Sequence, residues 1–146
     1  MRLVIQRVSE ASVAIDGKVI GRIGKGLFVL VGVKKRDTLE DAETLAEKLS
    51  KLRIMADKDD KMNLSVADAD GELLIISQFT LYADTSKGNR PSFIRAGDPK
   101  EAEKIYNHFV DKLKEKGLKI KTGSFGDYMK IDAKLDGPVT IIIDSK

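Results

Sequence analysis

The chain has 146 residues, with 26 Lys and Arg against 23 Asp and Glu, a net charge of +3, one His and no Cys. That length, without a Pro/Gly/Ser-rich linker, fits one domain built on one core. The missing Cys excludes disulfides, a thiolate nucleophile and a Cys-based zinc site, and the lone His108 cannot form a His-rich metal centre.

Apolar runs are broken by charge well before the roughly 20 residues needed to cross a bilayer, and Met1 to Ser9 lacks a signal-like apolar stretch, so a cytoplasmic protein is expected. Basic residues gather at Lys34-Lys35-Arg36, between Lys87 and Arg95, and from Lys112 to Lys121. Such clusters suit a phosphate backbone, although in a chain one-third charged most Lys and Arg merely keep the surface solvated.

Leu3 to Val8 reads as a first strand. Ala11 to Ile15, Asp16-Gly17 and Lys18 to Ile23 read as a hairpin, because Asp-Gly supplies the positive φ angles of a type I′ turn. Leu27 to Val33 is apolar at alternate and intervening positions alike, as expected of a central strand covered on both faces. Thr38 caps a predicted helix whose stripe is Leu39, Ala42, Leu45, Ala46, Leu49 and Leu52.

Asp57 to Gly71 is turn-rich, and Glu72 to Tyr82 reads as a strand that turns polar at Ser77. The loop Ala83 to Asp98 is longer than a plain connection needs and is a candidate binding loop. A second helix begins at Pro99, buries Ala102, Ile105, Tyr106, Phe109 and Leu113, and stops at Gly117. Leu118 to Thr122, Tyr128 to Leu135 and Val139 to Asp144 read as closing strands. The expected fold is α/β: a single domain, residues 1–146, with a mixed, barrel-like sheet and two amphipathic helices packed on one side.

Ser77-Gln78-Phe79-Thr80 brings two hydroxyls and an amide to the end of a buried strand. A hydroxyl without a neighbouring base is a poor nucleophile, so an ordinary strand end is the bland alternative. Gly137-Pro138 similarly reads as a turn entering a strand. His108 is expected to be a partly solvated helix residue, and Asp127, Asp132, Asp136 and Asp144 to be turn and surface carboxylates. No general acid or base stands out.

Five blocks in order nevertheless resemble the D-aminoacyl-tRNA deacylase family. They are Gln6-Arg7-Val8 with Ala11-Ser12-Val13, the run from Gly26 to Val33, Ser77 to Leu81, Lys87 to Phe93, and Gly137-Pro138-Val139-Thr140. The resemblance implies a homodimeric esterase without cofactor or metal. It would hydrolyse D-aminoacyl-tRNA, and glycine mischarged on tRNA(Ala), at the 3′ CCA end.

On that resemblance Ser77, Gln78, Phe79 and Thr80 form the catalytic segment, with main-chain N–H groups around Phe79 and Thr80 holding the oxyanion. The tRNA 2′-hydroxyl would assist the attacking water. A cis Gly137-Pro138 loop from the partner subunit, with Val139, Thr140, Met129 and a bracing Arg7, would exclude L side chains. The family often carries Asn two residues before the Gly-Pro pair, where this chain has Leu135. A scaffold that binds nucleic acid without turnover, and a relative with a trans Gly-Pro loop that accepts L esters, remain as alternatives.

Overall fold

The computed structural model describes residues Met1–Lys146. Its framework is a six-stranded mixed sheet containing β1 (Arg2–Ile15), β2 (Lys18–Ile23), β3 (Gly26–Gly32), β6 (Glu72–Ser77), β7 (Lys119–Thr122) and β8 (Lys130–Asp144). A separate two-stranded hairpin joins β4 (Met55–Ala56) to β5 (Met62–Leu64), and the helices are α1 (Leu39–Lys51) and α2 (Pro99–Glu115). Spatial order is β2-β1-β3-β6-β7, with β8 on the remaining side of β1.

The predicted turn between β1 and β2 forms with φ of 50° at Asp16 and 78° at Gly17. β1 is longer than expected, because Ser9 and Glu10 do not interrupt it. The strand passes from β3 to β2 on one side while β8 follows it along the other. β3 is antiparallel to β1 and parallel to β6, which makes it the central strand its composition predicts.

Its side chains serve two cores. Leu27, Val29 and Val31 face a 22-residue cluster that also takes Leu73 and Ile75 of β6 and the inner stripes of both helices. Phe28 points to a 7-residue cluster with Val8, Ala11, Val13, Ile23, Leu74 and Ile76. Alternation along a pleated strand requires this two-sided burial. Both helices therefore lie on one face, and the curled sheet encloses the smaller core.

Three further expectations are corrected. The strand predicted from Glu72 to Tyr82 ends at Ser77, and Phe79–Tyr82 forms a 3₁₀ turn. The ladder has run out there: Val31 opposite Ser77 is the last pair with β3, and pairing with β7 ends at Ile75 and Thr122. The turn-rich stretch contains β5, which closes on Met55–Ala56. The two final strands are one strand, β8, whose register slips so that Asp136 to Val139 stand opposite Arg7 alone.

Candidate functional site

The end of β6 opens into a cavity of about 460 Å³. Ser77, Gln78, Phe79 and Thr80 line one wall, Val31, Val33 and Ile76 the floor strands, Ala102 and Tyr106 the α2 side, and the segment Phe125 to Met129 the remaining wall. Gly32 lets the 3₁₀ turn lie close to the sheet, since a Cβ there would stand 3.0 Å from Leu81 Cβ and 3.3 Å from the Gln78 carbonyl oxygen. The Gln78 N–H continues one bond beyond the strand, donating to the Val31 carbonyl at 2.7 Å.

Phe79 and Thr80 open the turn, and the leading N–H groups of a helix have no acceptor inside it. Gln78, at the capping position, supplies none from its side chain. The Gln78 amide instead donates to the Thr80 hydroxyl. No imidazole or carboxylate reaches that hydroxyl or that of Ser77. His108 lies on the far side of α2, bonded to Glu43 of α1 at 2.8 Å.

Asp127 accepts from the Ser124 hydroxyl, and the Tyr106 hydroxyl donates to the Ile75 carbonyl at 2.9 Å. Burial pushes the Tyr106 phenol well above its ordinary value, so it stays protonated. The cavity is thus largely apolar with a few placed polar groups, and its one carboxylate, Asp127, is engaged by the Ser124 hydroxyl.

Met129 belongs to this cavity, its sulfur accepting from the Ser124 N–H at 3.4 Å. Arg7, Gly137, Pro138, Val139 and Thr140 do not line it. Gly137-Pro138 is cis, and Gly137 has φ of 131°. Arg7 holds the loop's base: its Nε donates to the Asp136 carbonyl at 3.2 Å and pairs with the Asp136 carboxylate at 3.3 Å, while Nη1 donates to the Ile54 carbonyl at 3.0 Å. Asp136 thereby supplies a polar tie beside Leu135. Val139 packs inward against the main core, and Thr140 accepts from the Gln6 amide at 3.3 Å.

Within one chain, then, the predicted residues fall into two groups. Sequence reasoning missed Tyr106, Phe125, Val31 and Val33 as cavity walls. The available signal was the pair of aromatics, Phe125 and Tyr128, either side of Gly126-Asp127.

The fold and the cavity define a single-domain, mixed-sheet protein with a partly apolar cavity at a strand end. A family model described as D-Tyr-tRNA(Tyr) deacylase matches residues 4–144. The chain is 54% identical to D-aminoacyl-tRNA deacylase of Clostridium botulinum over 99% of its own length and 97% of the relative's. It is 52% identical to that of Thermosipho melanesiensis over 100% and 98%.

A solved structure named c-Myc DNA unwinding element binding protein superposes with a TM-score of 0.94 at 41% identity, covering 100% of this chain and 99% of that one. A probable eukaryotic D-amino acid tRNA deacylase, 16% identical with a TM-score of 0.86 and 98% of each chain covered, shares the fold. The chain belongs to the D-Tyr-tRNA(Tyr) deacylase family, whose members are hydrolases of ester bonds.

Proposed function

We propose that this protein is a cytoplasmic D-aminoacyl-tRNA deacylase that also clears glycine mischarged on tRNA(Ala), rejecting L-aminoacyl esters by shape. The carrying observation is the cavity at Ser77 to Thr80, where a polar strand end, two leading N–H groups of a turn and apolar walls meet with no protein base in reach of either hydroxyl. In this reading the N–H groups of Phe79 and Thr80 take the charge that develops on the ester carbonyl oxygen. The terminal 2′-hydroxyl of the tRNA positions the attacking water. The bond between the acyl carbon and the ribose oxygen breaks, giving free amino acid and tRNA.

Selection against L side chains is by exclusion. The Gly137-Pro138 loop of a second copy enters the cavity over Met129 and occupies the side of the α-carbon that an L side chain needs, while hydrogen or a D side chain is accommodated. Two features support a homodimer in this role: the loop lies outside its own chain's cavity, and β8 leaves one long edge unpaired.

Deacylation of D-Tyr-tRNA and Gly-tRNA(Ala) by wild type and Thr80→Ala tests the chemistry. The expected result is hydrolysis of both esters, with the variant slower by less than about tenfold, against ~10²–10³ for a lost oxyanion donor. A collapse on the order of 10⁶ would instead make Thr80 the nucleophile. The name of the 41%-identical neighbour favours one second reading, a nucleic-acid scaffold, which predicts duplex DNA binding without turnover.

A further inference from the structure

The sheet end that bears the cavity also gathers cations. Lys35 N–H donates to the Arg95 carbonyl at 3.0 Å, Gly97 N–H to the Val33 carbonyl at 2.9 Å, and Lys34 bridges to Ala96. These links pin Lys34-Lys35-Arg36 against Arg95 around a shallow depression of about 500 Å³. Arg36 sits at φ of 70°, a conformation non-glycine residues seldom hold, in the turn that brings the three side chains to this rim.

No cation of this cluster forms an ion pair within 4.0 Å. Asp37 beside it is occupied by the Met1 ammonium at 2.7 Å and the Lys34 N–H at 2.7 Å, and Asp84 and Asp144 act on Arg95 and Lys34 only from beyond ion-pair distance. The longer basic run near the end of α2 is different: Lys112 pairs with Glu115, Lys116 with Glu47 and Lys119 with Asp70. Four like charges held together by main-chain bonds raise the local potential, and a polyanion relieves their repulsion. Val33, next to Lys34, is already a cavity wall, so the cluster begins where the cavity ends.

We propose that Lys34, Lys35, Arg36 and Arg95 form the docking surface for backbone phosphates of the tRNA acceptor stem. This rests on the deacylase reading, because the ester is carried on the single-stranded 3′ end and the stem follows it past the rim. Lys112, Lys114 and Lys121 lie outside the surface.

The test titrates uncharged tRNA against wild type, a Lys34→Glu/Lys35→Glu/Arg36→Glu variant and a charge-matched Lys112→Glu/Lys114→Glu/Lys121→Glu control, over a range of salt. The first variant should bind about tenfold or more weaker, with a salt slope shallower by about 2 to 3, since each phosphate contact contributes ~0.9. The control should stay near wild type, and a single Arg95→Glu variant should show a smaller loss in the same direction. Hydrolysis of a D-tyrosyl ester of adenosine, which has no stem, should be unchanged in the first variant.

Equal tRNA affinity and slope in the first variant and wild type, an equal loss in the control, or tighter binding of a DNA duplex of matched length would overturn the assignment. If wild type hydrolyses neither ester, the deacylase reading fails while the tRNA titration still decides this surface.

Discussion

At the scale of single residues, Arg7 carries the sharpest consequence. Arg7 ties Asp136 and Ile54 together through three contacts beneath the Gly137-Pro138 loop. Its removal leaves Asp136 to Val139 without their main anchor. We expect Arg7→Ala to keep hydrolysis of D-Tyr-tRNA within a few-fold of wild type. It should raise the relative rate on L-Tyr-tRNA by on the order of tenfold, the equivalent of about 1.4 kcal/mol of lost discrimination. Paired time courses on the two esters check this, and an unchanged ratio would remove Arg7 from the gate. The sequence alone made Arg7 an ordinary strand residue. Its partners lie 47 and 129 positions away, so only the family resemblance pointed to it.

Among the elements, the helices and most strands were legible because their burial patterns are local. Thr38 caps α1 as its sequence predicts, and Asp41 completes a capping box, accepting from the Thr38 N–H at 2.8 Å. Burial opposes ionisation of Asp41, but bonds from the Thr38 N–H and hydroxyl and from Ser145 hold its carboxyl below the ordinary range. A depressed folded pKa contributes stability that is present above the unfolded value, about 4, and is lost as pH falls through the folded one. Asp41→Asn should therefore cost ~1 kcal/mol near neutral pH, with the gap to wild type narrowing in acid, read by urea denaturation.

The 3₁₀ turn after β6 was not legible, because β-favouring Phe, Thr and Tyr continue past the point where the neighbouring strands stop. That turn depends on Gly32. In Gly32→Ala the new methyl meets Leu81, Tyr82 and the Gln78 carbonyl and shifts the turn by a few tenths of an ångström. The predicted effect is a loss of about 10- to 100-fold in kcat with the melting cooperativity intact, as for other small misplacements of a catalytic group.

For the whole molecule, the proposed function makes the single chain an incomplete site. Its cavity contains the segment proposed to bind the ester, while its Gly-Pro loop projects from β8, a 15-residue edge strand with only β1 beside it. Exposed Leu135 and Ile142 lie on that strand. Long unpaired edges are ordinarily covered or blunted. Sedimentation should return twice the 16.1 kDa chain mass, and Leu135→Lys with Ile142→Lys should shift the protein toward monomer and depress activity together.

Chirality read by exclusion, at a cavity completed by a second copy, is the centre of the proposed function. Its most direct test is the ratio of hydrolysis rates for D-Tyr-tRNA and L-Tyr-tRNA by the wild-type protein at one enzyme concentration. The expected result is rapid loss of the D ester with the L ester decaying no faster than without enzyme. Comparable loss of both esters would contradict it.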